Sequence, residues 1–123
     1  KLHLAKVNGD KDVAIWGNGT ARREFMYAQD LAGLIWAACK RFEELPDLMN
    51  AGLGHDYSIT EYYVAAQNIV GFDGSFTYDP SQPTGMQQKL ASSILAKDWG
   101  WQASTPLEDG LKKTYEYFKE TSK

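Results

Sequence analysis

Trp16 to Leu34 reads WGNGTARREFMYAQDLAGL. This stretch decides the fold, because a glycine-punctuated turn delivers two arginines onto a short strand that feeds directly into an amphipathic helix. Val13 to Trp16 is a short apolar, β-prone run, and Gly17-Asn18-Gly19 supplies residues that tolerate positive φ, so a tight turn follows the strand. Arg22 to Tyr27 reads as a second strand whose alternation places Arg23, Phe25 and Tyr27 on one face and Glu24 and Met26 on the other. The same alternation sends Arg22 to the opposite face, toward solvent. An arginine at the mouth of a strand beside a Trp suits an anion clamp, since its planar guanidinium binds phosphate or carboxylate bidentately and the indole offers a flat face to a ring. A solvated arginine pair in a hairpin is the other reading of the same residues.

Outward from this stretch, Leu31, Leu34, Ile35, Ala38, Phe42 and Leu45 recur at helical spacing behind Asp30, which suits the start of a helix, and Pro46 ends it. Cys39 on this helix reads as a small packing residue. Residues 48–52 read as a short strand ending in a glycine turn, whose unpaired edge would invite dimerisation or strand exchange, so a homo-oligomer belongs among the expected partners. Ser58-Ile59-Thr60-Glu61 is a capping box ahead of a helix over 59–70, with Tyr62 and Tyr63 on its packing face and Gly71 as its left-handed terminus. Residues 75–78 alternate as a strand, and Pro80, Pro83 and Gly85 mark an extended loop beyond it. Ser92 is placed to cap a short helix over 93–98. Thr105-Pro106-Leu107-Glu108 reads as a second capping box, opening a helix over 106–119 with Leu107, Leu111, Tyr115 and Phe118 inward and Lys112, Lys113 and Lys119 solvated. At the other end, Lys1 to Val7 reads as the last turns of a helix stopping at Asn8-Gly9-Asp10, and His3, without a ligand partner at metal spacing, reads as a surface histidine.

The chain has 123 residues, of which 43% are hydrophobic, enough for one domain with its own core. Its net charge of −3 argues against non-specific nucleic-acid binding, which depends on a basic surface to neutralise phosphate. With a single cysteine there is no intrachain disulfide, and no long apolar run or signal-peptide pattern is present, so the expected setting is cytoplasmic, with no membrane partner.

The segment WGNGTARREFMYAQDLA resembles the W-G-x-G-x-x-x-R-E-F-x-x-x-x-D-[LM]-A segment of GDP-L-fucose synthases, which are extended short-chain dehydrogenase/reductases acting on nucleotide-sugars. The likeness continues in register. MNAGLGHDYSITE is similar to their N-V-G-x-G-x-D-x-[ST]-I-x-E, and VGFDGSFTYDPSQPTGMQQKL to their V-G-[YF]-x-G-x-[IV]-x-[FY]-D-x-[ST]-K-P-x-G-x-x-x-K-L. DWGWQASTPLEDGLKKTYEYF is similar to L-G-W-x-P-x-x-x-L-x-x-G-[IL]-x-x-T-Y-x-W-F. Four motifs in order cover nearly all of the chain.

The resemblance implies an α/β (α+β) fold, the C-terminal substrate-binding portion of such an enzyme, with residues 1–123 as a single domain and the N-terminal dinucleotide-binding (Rossmann) domain, its expected partner, absent. The G-x-x-G-x-x-G turn of the superfamily does not occur here, and the one Tyr-x-x-x-Lys spacing, Tyr115 to Lys119, falls in the T-Y-x-W-F segment of the final helix rather than in a catalytic motif. NADP binding and proton chemistry are therefore assigned to that other half, as is the family's epimerisation cysteine, which is not Cys39. No catalytic, cofactor-binding or metal-binding residue is expected in this chain. For the GDP-sugar substrate, the resemblance points to Lys1, Arg23 and Lys89 on the diphosphate and to Trp16 as a wall of the pocket. The chain departs from the pattern at Gln82, Thr84 and Gln88, where two basic residues are common, and this bears on which sugar nucleotide is recognised.

Overall fold

The computed structural model describes residues 1–122. Helix α1 (Leu2–Asn8) ends at Gly9, whose φ of 74° lets the chain turn back, and leads to β1 (Asp12–Trp16). Strand β2 (Arg22–Arg23) is followed by α2 (Ala28–Lys40) and a single 3-10 turn at Phe42–Glu44. Then come β3 (Tyr57–Ser58), α3 (Ile59–Val70), β4 (Ser75–Asp79), β5 (Gln88–Lys89), α4 (Ile94–Asp98) and α5 (Leu107–Thr121). The helices expected at 30–44, 59–70 and 106–119, and the strands expected at 12–16 and 75–78, are all present within two residues of those bounds, apart from the break after Lys40.

Two small sheets form the frame. β1 pairs in parallel with β4, Asp12 opposite Ser75 through Trp16 opposite Asp79, a pairing that needs a crossover, and α3 lies on it. β1 buries alternate residues, Val13 and the fully covered Ile15, as a half-buried strand does. Val13 joins Leu2, Ala5 and Phe72 in the core, flanked by Tyr63, Ala66, Val70 and Phe76. In the second sheet β2 is central, antiparallel to β3 and parallel to β5.

Several expectations are corrected. The strand read over 23–27 stops at Arg23, because both partners of β2 are two residues long and Glu24 turns its carboxylate to other amides. Residues 48–52 form no strand: no backbone ladder reaches them among the described residues. Ser93, not Ser92, stands at the start of α4, and no side-chain cap is made there. Thr105 does not cap α5 either. Its amide and hydroxyl both donate to the Asp30 carboxylate, each at 3.0 Å, tying the start of α5 to the first turn of α2. On α2 only Leu34 of the apolar stripe is buried, and Cys39 is exposed rather than packed. His3 is half-buried, with its Nδ1 2.9 Å from the Tyr115 hydroxyl and its ring edge-on to Phe118.

Candidate functional site

The turn after β1 begins the site. Gly17 and Gly19 have φ of 72° and 74°, a region that glycine enters without Cβ strain. Both also make room for neighbours: a Cβ on Gly17 would collide with the Thr84 methyl, and one on Gly19 with the Thr60 hydroxyl and the Tyr78 ring. Gly17 N–H donates to the Asp79 carbonyl at 2.7 Å, continuing the β1–β4 ladder, so the turn and the loop after β4 are held against each other.

Between them lies a cleft of about 400 Å³, within the usual range for small-ligand sites. Lys1, Trp16 and Arg23 line one part of it, Ala21, Ile59 and Tyr63 another, and Pro83 and Thr84 approach from the loop. Three of the four residues assigned to substrate from the resemblance therefore meet in one place. Trp16 is 57% exposed at the end of β1. The Lys1 ammonium lies 5.8 Å from the centre of the Trp16 ring and donates to the Ala14 carbonyl at 2.8 Å. Lys89 is exposed and is not part of the cleft wall, but it sits opposite Arg23 in the β2–β5 register, one strand away.

Arg23 is half-buried and, among the described residues, its guanidinium bonds to backbone alone. Its Nη1 donates to the Arg22 carbonyl at 2.6 Å and its Nη2 to the Thr84 carbonyl at 3.2 Å. These contacts fix the plane of the guanidinium and use part of its five donors. Phe25 and Tyr27 do not flank it, against the expectation from strand alternation. Phe25 instead lies on Tyr62, ring centroids 3.9 Å apart, and both Phe25 and Tyr27 border a separate hollow beside Thr105 and Pro106.

Arg22 is part-exposed but is not left to solvent, which corrects its reading. Its Nε donates to Asp56 Oδ1 at 2.6 Å and its Nη2 to the Asp56 carbonyl at 2.9 Å, while Glu61 lies 3.5 Å from Nη1. Gln88 donates to the other Asp56 oxygen at 2.6 Å. The hydrogen bond from Gln88, then that from Arg22, holds the Asp56 carboxyl below its ordinary value, and the bond to Asp56 raises Arg22 above its own. Glu24 is the other residue whose role the sequence did not disclose. Its Oε1 accepts from the amides of Leu53 and Gly54, at 2.8 and 3.3 Å, and its Oε2 from that of Ala91, at 2.9 Å. One carboxylate thus gathers two loops that would otherwise carry unmatched donors.

A dinucleotide phosphate cradle needs a glycine turn running from a strand into a helix N-terminus. The turn at 17–19 runs from β1 into β2, so these residues do not fit an NADP phosphate site. Among the described residues no group of three or more His, Cys, Asp or Glu could hold a metal ion, and no helix is long and apolar enough to cross a membrane.

Residues 1–59 match the NAD dependent epimerase/dehydratase family. Over 118 residues the chain is 47% identical to the GDP-L-colitose synthase of Yersinia pseudotuberculosis, covering 96% of this chain and 38% of that protein. The chain belongs to this epimerase family. It is 42% identical to the GDP-L-fucose synthase of Azorhizobium caulinodans over the same share of each. Among solved structures it is similar to a GDP-mannoheptose C4 reductase from Campylobacter jejuni with NADP bound, with a TM-score of 0.81 and 32% identity, over 96% of this chain and 42% of that one. The mixed α/β architecture is that of part of an extended short-chain dehydrogenase/reductase, and the chain spans about 38% of the length of these curated relatives.

Proposed function

We propose that residues 1–123 are the GDP-sugar-binding domain of an NADP-dependent epimerase/reductase that converts GDP-4-keto-6-deoxy-D-mannose to GDP-L-fucose. The observation that carries this reading is the meeting of Lys1, Trp16 and Arg23 in one cleft beside a glycine turn. In this reading Arg23, Lys1 and, from the neighbouring strand, Lys89 neutralise the diphosphate, and Trp16 bounds the pocket. A Rossmann domain of the same enzyme binds NADP and carries the acid/base groups. Such an enzyme epimerises the two carbons beside the ketone, using the acidity the ketone confers, and then transfers hydride to the ketone carbon. Energy from gripping the remote diphosphate orients the sugar for that chemistry.

In this reading the 123-residue chain alone is without turnover and without tight NADPH binding, because the G-x-x-G-x-x-G turn is absent from it and the proton chemistry belongs to the Rossmann domain. A second reading keeps the site and changes the sugar. It is favoured by the 47% identity to a GDP-L-colitose synthase, set against 42% to a GDP-L-fucose synthase, and by Gln82, Thr84 and Gln88, the departures from the family pattern after β4. Screening the full-length enzyme with GDP-, UDP- and dTDP-linked 4-keto sugars tests both. Turnover confined to GDP-4-keto-6-deoxy-D-mannose supports the first, turnover of another GDP-sugar supports the second, and preference for UDP or dTDP overturns both.

A further inference from the structure

The two arginines of β2 are adjacent, and only one of them reaches the cleft. β2 is held by two residue pairs to β3 and two to β5, which is too short a ladder to fix register by itself. A slip of one residue would turn each side chain to the other face and exchange Arg22 for Arg23. Something other than the ladder has to choose between them.

Asp56 is the residue in a position to choose. It stands at the entry to β3, and its side chain is only 7% exposed although it is charged, so it requires a cationic partner in place. Arg22 supplies that partner with two donors, one to the carboxylate and one to the Asp56 carbonyl, and Gln88 on β5 closes the other oxygen. The register sets Arg22 opposite both Ser58 and Gln88, so this one side chain, on the middle strand, is bonded to the entry of β3 and shares an acceptor with β5. Backbone bonds next to it, from Arg22 N–H to the Gln87 carbonyl at 2.7 Å and from Ile59 N–H to the Ala21 carbonyl at 2.9 Å, belong to this register.

We propose that Arg22 is a positioning residue and Asp56 its register lock: their pairing, completed by Gln88, selects Arg23 as the arginine presented to the cleft and sets Lys89 beside it. The proposal rests on the reading of the cleft as a diphosphate site. The lock holds three strands at one point. Losing its cation leaves Asp56 charged and covered, which loosens the register on which Arg23 depends. Because Gln88 already donates to Asp56, an arginine at position 88 can restore the missing charge from the neighbouring strand.

The test uses the full-length enzyme, with GDP as the probe, and compares the unsubstituted protein with Arg22→Gln, Gln88→Arg and the Arg22→Gln/Gln88→Arg pair. Calorimetry gives the GDP affinity, and hydrogen exchange gives the protection of the Arg22 and Ile59 amides. Arg22→Gln is expected to weaken GDP on the order of 10-fold with faster exchange at both amides. Adding Gln88→Arg is expected to recover most of both losses, and by more than Gln88→Arg strengthens GDP binding in the unsubstituted background. GDP binding that Arg22→Gln leaves unchanged overturns the lock alone, as does a loss that position 88 does not repair. Failure of the unsubstituted enzyme to bind GDP overturns the diphosphate reading and the lock with it. Should Arg22→Gln not fold, the double variant decides: folded and GDP-binding supports the lock, unfolded overturns it.

Discussion

Phe25 lies face to face on Tyr62, with ring centroids 3.9 Å apart and planes 15° from parallel, and so fastens the segment leaving β2 to the first turns of α3. Phe25→Ala is expected to cost about 2 to 3 kcal/mol of stability, through lost burial and lost ring contact, and Phe25→Leu less. Thermal or urea unfolding of the two variants measures this; equal losses would mean that the ring geometry contributes nothing.

The same stack makes stability fall in alkali. Burial, with the nearby Tyr63 adding to it, raises the Tyr62 hydroxyl above its ordinary value of 10.0, and burial does the same for Tyr63. Above that pH the unfolded chain releases these protons more readily than the folded one, so stability that is complete below about pH 10 is lost as pH rises further. Unfolding midpoints measured across pH 9 to about 11 should decline, and Tyr62→Phe should flatten the decline.

Acid acts in the opposite sense, through three carboxylates. Hydrogen bonds from Gln88 and Arg22 lower Asp56, bonds from the Ser58 amide and hydroxyl lower Glu61, and Ser81 lowers Asp79. Each is held below its ordinary value, so the unfolded chain takes up protons first. Their stabilisation is whole above about pH 4.5 and is withdrawn as pH falls through the lower, folded values. Midpoints measured from pH 6 down to about 2 should show this drop, and Asp56→Asn should make it shallower. A midpoint independent of pH in that range would contradict the hydrogen-bonded state of these carboxylates.

The turn at 17–19 yields a sharper substitution. Gly19→Ala forces an L side chain into positive φ and against Thr60 and Tyr78, so it should destabilise by about 1 to 2 kcal/mol from the backbone alone, and more with the collision. Gly9 has a similar φ and open space around it, so Gly9→Ala should show only the backbone part. Denaturant unfolding of the two variants separates these contributions.

Much of this architecture was legible in local chemistry. The Ser58/Glu61 capping box, the left-handed Gly71 and the alternation of Val13 and Ile15 are each written within a few residues, and the structure keeps all of them. The errors came where a side chain's partner is distant in sequence. Thr105 looked like a cap because its neighbours spell one, but Asp30, 75 positions away, takes both of its donors. Arg22 looked solvated because alternation says only that it leaves the Arg23 face, and nothing nearby announces Asp56, 34 residues on. Glu24 is similar: no local pattern says that one carboxylate will collect amides from two loops. The resemblance points to Lys1, Trp16 and Arg23, and they meet because Lys1 donates to the Ala14 carbonyl on β1 while the turn at 17–19 joins Trp16, at the end of β1, to β2.

The most direct test of the account is the GDP affinity of the full-length enzyme with Arg23→Ala. The substitution removes a charge-assisted contact worth on the order of 1.5 to 3 kcal/mol, so the dissociation constant should rise by about 10- to 150-fold. NADPH binding and the unfolding midpoint should stay close to those of the unsubstituted protein, because among the described residues Arg23 is tied only to the carbonyls of Arg22 and Thr84. A GDP affinity within about twofold of the original, in a folded protein that still binds NADPH, would contradict the assignment of this cleft as the diphosphate site.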